Sequence, residues 1–565
     1  MALKKLLIAA FAVCYGSVLW AVDMPPFGIS DAVKSAEPPK SDPDAKAPEP
    51  LPIIIESAEP LSLAAGEKAL IRDFKVEGAE NAQGVQVAQF DAIFAAYRNT
   101  ELTMQQINQI AQQVANACKE QGYFAATAIV PRQNVLQNGV LIIRVVIGKY
   151  GAITLQNRSF VSDGFVRSTL ANALHGDAAK DSLERAMLLV GDMPSAALPQ
   201  VTVQAGKSFG EMDFDFDVGK SERVGGYAAA DNYGSKLTGR YRLSAGAAVN
   251  SPFGIADRLA IDAMISTKSD LTNGKLAYDF PLYSNGLRGS IAVSKTDYEL
   301  GEEYKALDAV GDAVILGAAV SYPLIRTQRE NLSIALGYER KDMEDKVREL
   351  DIEMPKKIGV WRLSADYSAH GSLFGLNSYF GVSLGVNAGE LEITDDTQKS
   401  LNKAGADTVG SYQKADLAFD GALAFSDELS LLGRLRLQKS LGGKNLDGSE
   451  QMQLSGVSAV KAFPDPEYSA DNGVLAGLEL TYKLPPIVGI THSLGAFADV
   501  GVGQIEDDSY TNEDARTLSD IGFALNARYK SAVVKAQIAR IVGNEKVESE
   551  HKRNTRFLCQ IGVQF

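Results

Sequence analysis

The one stretch of the 565 residues with the form of a catalytic motif is Gly381-Val382-Ser383-Leu384-Gly385. A G-x-S-x-G serine becomes a nucleophile only on a sharp turn between a strand and a helix. Here Phe380, Val382, Leu384 and Val386 alternate with small or polar residues, which is the period of a strand, and no helical pattern follows. A base would have to come from His175, His370, His492 or His551. The three cysteines, Cys14, Cys118 and Cys559, make no Cys-x-x-Cys pair, so neither a zinc ribbon nor a redox dithiol is expected, and Cys118 and Cys559 read as buried free thiols. With no P-loop and no dinucleotide fingerprint, the chain is expected to be no enzyme and to need no cofactor or metal.

Function therefore has to be sought in the elements themselves. Charged residues make up 22%, hydrophobic residues 45%, and 51 glycines punctuate the chain. That composition suits many strands joined by turns. A net charge of -14 argues against nucleic acid, whose phosphates attract basic surfaces.

Residues 1–21 have the form of a secretory signal, with Lys4 and Lys5 ahead of the apolar run Leu6 to Val13 and cleavage expected after Ala21. No later run approaches the length of a membrane-spanning helix, about 18 apolar residues. A Pro-rich arm follows over 22–69, an extended semi-rigid linker whose one candidate for a short helix is Ile29 to Ala36.

Helical periodicity begins after Ile71. A strand over Ile71 to Val76 precedes helices over Val87 to Tyr97 and Met104 to Gln121, the second with Met104, Ile107, Ile110, Val114 and Cys118 on one face. Thr103 with Gln106 forms a capping box and Gly122 a stop. Strands over Tyr123 to Val130 and Val140 to Ile147 complete a β-α-α-β-β unit. The same order recurs from Ala152 to Val218, with helices over Asp163 to Leu174 and Lys180 to Val190.

From Val224 the period changes to two. Trp361, Leu363, Ala365 and Tyr367 alternate with Arg362, Ser364 and Asp366, and Ile521, Phe523, Leu525 and Tyr529 repeat the pattern. An apolar face toward lipid and a polar face toward a lumen require this alternation. Hydrocarbon also demands closure, because an unpaired strand edge there costs several kcal/mol per backbone group. Sixteen strands are expected, starting near residues 224, 239, 257, 274, 286, 312, 331, 359, 376, 411, 429, 473, 492, 519, 531 and 556. Short turns alternate with long loops, among them 341–358, 388–410 and 439–472.

Several motifs, in order, resemble the outer-membrane transporters of two-partner secretion (TpsB type). Gly122-Tyr123, Pro131, Gln133, Gly139 and Gly148 are spaced as in that family's first POTRA domain, and Leu188 to Pro194 is similar to its Leu-rich turn, with Ser195 where Gly is usual. Val460-Lys461-Ala462-Phe463 resembles the lumen-loop motif Val-Arg-Gly-Tyr/Phe, with Lys461 in place of Arg and Ala462 in place of Gly. Phe497, Asp499 and Gly501 match the facing Phe-x-Asp-x-Gly. The last strand carries Phe557, Ile561, Val563 and Phe565 on one face, like a terminal signal for barrel insertion.

The resemblance implies a fold of two small α+β POTRA domains, 70–148 and 149–220, before a 16-stranded antiparallel transmembrane β-barrel over 221–565. It implies an outer-membrane pore whose POTRA domains, in the periplasm, bind a large unfolded exoprotein. The expected partners also include outer-membrane lipid and the barrel-assembly machinery, on a monomeric protein. The loop is expected to fold into the lumen, where Lys461 meets Asp499 in a wet, loose tether, with a short plug helix in the arm as a further possibility. A barrel-assembly factor of the same superfamily is the alternative, and a passive porin has no use for the α+β domains.

Overall fold

A computed structural model describes residues 29–35, 43–55, 68–79, 88–123, 125–131, 133, 139–208, 210–511, 515–550 and 552–565. The signal sequence lies outside the described residues, as does most of the Pro-rich arm.

Sixteen antiparallel strands close into a barrel, each hydrogen-bonded to its sequence neighbours and the last to the first. They begin at 224, 242, 258, 271, 288, 309, 330, 352, 376, 410, 429, 472, 490, 516, 532 and 555. Inward positions are read from two register lines. Arg362 faces Asn387, Asn387 faces Lys414, Arg434 faces Gly477, Gly477 faces Asp499 and Asp499 faces Asp520. The alternate residues, such as Leu363, Leu478 and Phe523, are exposed to the lipid side.

One expectation fails in a consistent direction. The stretch 341–358, read as a loop, is a continuing β-hairpin: strands Glu330–Val347 and Ile352–Leu373 are 18 and 22 residues long. A tilted strand crosses a bilayer in about 9–11 residues. The outward face changes from apolar to charged at Arg340, Asp342, Glu344 and Lys346, so the hydrophobic period stops while the backbone ladder runs on. Tyr338 and Trp361, with ring centroids 4.9 Å apart, mark the change, where an interfacial aromatic girdle belongs. The strands Val224–Asp231 and Thr555–Gln564 are only 8 and 10 residues long.

Both α+β units are present at the short-turn end. In the first, strands Asp73–Glu77, Val140–Val146 and Thr127–Ile129 form a three-stranded sheet against the helix Met104–Glu120, whose capping box is formed as expected. A separate pair, Lys68–Ile71 with Thr100–Thr103, was not foreseen. In the second, Lys149–Asn157, Glu211–Val218 and Gln200–Ala205 form the sheet beneath helices Asp163–Ala173 and Lys180–Gly191.

The arm is not wholly extended linker. Ile53–Ile55 adds a parallel strand to the outer edge of Gln200–Ala205, and the β-branched run after Pro52 is the signal for it. Residues Ile29–Ser35 form a helix within the barrel. There Ala32 is buried among Met264, Leu271, Tyr298, Met343, Ile358 and Val360. Several of these are apolar side chains at inward positions, a local break in the apolar-out rule that a buried apolar insert explains. The free thiols differ from expectation at one position: Cys118 is buried, but Cys559 is only half-buried on the outer wall.

The second unit is fastened to the barrel rim. Arg326 donates to both oxygens of Asp192, at 2.7 and 2.6 Å. Gln328 N donates to Glu184 at 2.6 Å, Arg185 to Pro323 O at 2.8 Å and Ser162 N to Gly254 O at 2.8 Å.

Candidate functional site in the barrel lumen

The segment 442–471 joins strands Leu429–Leu441 and Asn472–Ile487, and it turns inward. Met452–Gln453 pairs with Ser469–Ala470, a miniature ladder that narrows the loop to a tip. The tip closes on itself, with Gly456 N donating to Val460 O at 3.1 Å and Val460 N to Leu454 O at 3.2 Å. Gly456 has φ 101 and Asp465 packs against it, so a side chain there would be both strained and crowded. Val460, Ala462 and Phe463 are fully buried against the wall.

Each motif position on the wall strand Ile490–Gln504 meets a motif position of the tip. Asp499 Oδ2 accepts from Lys461 Nζ at 2.5 Å. The Lys461 ammonium also lies 4.2 Å from the centroid of the Phe497 ring, a cation–π geometry. Gly501 leaves the room that the tip fills: a Cβ there would stand 3.2 Å from Val460 Cγ2 and 3.1 Å from Leu454 O. On the next strand Asp520 Oδ2 accepts from Ala462 N at 2.6 Å. The Ala462 position thus serves the contact through its backbone, which a Gly would offer equally. Phe463 O accepts from Arg556 at 2.6 Å.

Sequence reasoning missed Arg434. Projecting inward from Leu429–Leu441, it donates to Asp499 Oδ1 at 2.8 Å, to Ala459 O at 2.9 Å and to Ser458 O at 3.3 Å. The guanidinium that the resemblance places in the loop is here on the wall, gripping loop carbonyls and the shared carboxylate together. Arg434 and Arg436 at successive inward positions of one strand were the available signal. Water is also scarcer than expected: Lys461 is 6% exposed and Asp499 4%. The tip's own apolar residues, Leu454, Val460 and Phe463, pack with Phe497 into one buried cluster beside the pair.

Beside the tip a cavity of about 620 Å³ remains, lined by Lys34, Asp420, Arg436, Gln451, Glu479 and Lys535 among others. Ser383 sits in mid-strand, its hydroxyl donating to Asp366 at 2.5 Å, while His370 packs against Tyr379. At the seam, Phe557, Ile561, Val563 and Phe565 are exposed on the lipid face. Gly226 N donates to Phe565 O at 2.7 Å and Phe565 N to Gly226 O at 2.9 Å.

Residues 210–529 match the family described as haemolysin secretion/activation protein ShlB/FhaC/HecB, and residues 70–148 match the POTRA domain of ShlB type. The chain belongs to that family. The transporter is 28% identical over 442 residues to the heme/hemopexin transporter protein HuxB of Haemophilus influenzae, covering 76% of this chain and 75% of the relative. It is 24% identical to the outer membrane transporter CdiB of Dickeya dadantii, covering 78% of each. Among solved structures, CdiB from Escherichia coli superposes with a TM-score of 0.72 at 18% identity, covering 90% of this chain and 93% of the other. The transporter is an outer-membrane secretion pore of the two-partner type, which works with an exported partner protein. The family consists of transporters, and the barrel-assembly alternative is not favoured.

Proposed function

We propose that the transporter captures its unfolded exoprotein with periplasmic POTRA domains and passes it outward past a lumen loop and a plug helix that must move aside. The observation that carries this reading is the filled lumen. Loop tip and helix occupy the channel through hydrogen bonds, ion pairs and apolar packing, so opening needs no covalent step. The short-turn end, where both α+β units lie, is then the periplasmic end. An extended client can pair with the Thr127–Ile129 edge of the first sheet, backbone to backbone. On the second sheet the Gln200–Ala205 edge already carries Ile53–Ile55 of the arm, so pairing there requires the arm to leave.

The boundaries 70–148, 149–220 and 221–565, the role of Phe557, Ile561, Val563 and Phe565 as an insertion signal read by the barrel-assembly machinery, and a monomeric state in outer-membrane lipid belong to the same reading. Deleting the gene tests it: one large polypeptide should vanish from the cell surface or medium while other outer-membrane proteins persist. Loss of many outer-membrane proteins instead would point to assembly. Within the pore, Asp499→Lys should block export with the barrel still inserted.

A further inference from the structure

A second cluster of charge holds the loop at residues 447–450, apart from the Lys461 tip. Lys341, Lys356 and Lys414 project inward from strands Glu330–Val347, Ile352–Leu373 and Gly410–Ala424. They converge on the loop turn Asp447-Gly448-Ser449-Glu450. Lys341 Nζ lies 2.7 Å from Glu450 Oε1, and Lys414 Nζ lies 3.0 Å from Oε2 and donates to Glu450 O at 2.7 Å. Lys356 Nζ lies 3.0 Å from Asp447 Oδ2 and also donates to Ser30 Oγ of the plug helix at 3.2 Å. The turn is built for this, because Ser449 N and Oγ both donate to Asp447 Oδ1 and Glu450 N to Asp447 O, so the two carboxylates point to one wall.

The cluster is dehydrated. The Glu450 side chain is 4% exposed and the lysine side chains between 12% and 16%. Burial alone would raise the Glu450 carboxyl, but Lys414 and Lys341 outweigh it and hold the group below its ordinary range. Asp447 is likewise held low: burial would raise it, but Lys356 and the two Ser449 hydrogen bonds together outweigh that. Both are carboxylates at neutral pH, set against three ammonium groups.

When the loop and plug move aside, as the function proposed above requires, these three lysines lose Asp447, Glu450 and Ser30 together. Their ammonium groups then face the passage. Adjacent strands lie about 5 Å apart, so the lysines form a band roughly 15 Å wide on the wall a passing chain must cross. What fits that band is shown by its present occupant, a short acidic peptide segment.

We propose that Lys341, Lys356 and Lys414 form a carboxylate-binding station on the lumen wall, occupied at rest by Asp447 and Glu450 of the loop and used in transit by acidic side chains of the exported polypeptide. The loop turn is a resident stand-in for client carboxylates, and it offsets two of the three lysine charges until a client arrives.

The test uses the full-length transporter in planar lipid bilayers. Asp447→Asn with Glu450→Gln empties the station of charge and leaves the lysines intact. The reversal potential in a KCl gradient should shift toward anions, and oligoglutamate should block the current at a concentration at least tenfold lower than in the parent, with no such gain for oligolysine. Adding Lys341→Met and Lys414→Met should abolish both changes. Unchanged selectivity in the first variant, or oligoglutamate block that survives the lysine substitutions, overturns the proposal. A second pair guards against misfolding: Glu450→Lys alone should open the pore, and Lys341→Glu with Lys414→Glu should close it again, whereas absence of rescue counts against the station. No client enters these measurements, so their failure leaves the secretion reading standing, and that reading falls separately if gene deletion removes no exported protein.

Discussion

The sharpest consequence of the lumen geometry concerns Asp499, because one carboxylate serves two cations. Asp499→Asn preserves shape and removes the charge that Lys461 and Arg434 share, at 2.5 and 2.8 Å. Breaking a buried pair by removing one member costs about 3–5 kcal/mol, since the partner charge stays buried. Arg434→Met is a milder change. It removes one short bond to a loop carbonyl, Ala459 O at 2.9 Å, with only a weak one to Ser458 O at 3.3 Å, and leaves Lys461 on Asp499; the short bond, made by a charged group, is worth about 1.5–3 kcal/mol. Lys461 itself supplies the assay, because trypsin can cleave after it only when the tip undocks. At about 1.4 kcal/mol per tenfold, cleavage in outer-membrane vesicles should accelerate roughly a hundredfold to a few thousandfold in Asp499→Asn when it tracks the open population. Arg434→Met should accelerate it by about ten- to a hundredfold. If Asp499→Asn leaves Lys461 as resistant as in the parent while the barrel keeps its heat-modifiable gel band, the shared-carboxylate account is wrong.

Three further outcomes are expected. Gly501→Val should loosen the tip by about 1–3 kcal/mol, the usual cost of overpacking, read as faster trypsin cleavage after Lys461 with an unchanged barrel band. Ser195 holds φ 76 in the Leu-rich turn, so Ser195→Gly should relieve about 1–2 kcal/mol of backbone strain and slow hydrogen exchange in the second α+β unit; faster exchange would contradict this. Glu450 is a carboxyl depressed in the folded state, so its stabilising contribution is complete above the ordinary glutamate value of about 4.3 and is lost as pH falls through its lower folded value. Bilayer openings should therefore stay rare from pH 8 to 5 and rise only below about pH 4, and a rise centred at pH 6 would exclude Glu450 as its cause.

The strands were legible wherever lipid dictates the outward side chain, as from Trp361 to Tyr367, because hydrocarbon enforces a two-residue period. They ceased to be legible at Arg340, where water takes over on the outer face while hydrogen bonding continues unchanged. Helix Met104–Glu120 was readable down to its cap because Thr103 and Gln106 are local. Ile53–Ile55 offered only a three-residue β-branched run, which becomes a strand when a sheet edge is offered from 148 positions away in register. The positions 460–463 and 497–501 came from a motif, and geometry now gives each a neighbour. Arg434 carried no motif, and its place became visible only when register aligned it with Gly477 and Asp499. The low exposure of the pair was equally hidden, because it depends on how closely the loop tip docks against the wall.

The unequal strands give the outer mouth a high parapet and a low sill. Four strands of 18, 18, 22 and 18 residues stand together between 309 and 393, while the first and last strands of the barrel stop far shorter. A polypeptide leaving such an opening is fenced on one flank and free on the other. In the export proposed above, an emerging chain is therefore steered toward the sill, the flank where the barrel's two ends meet.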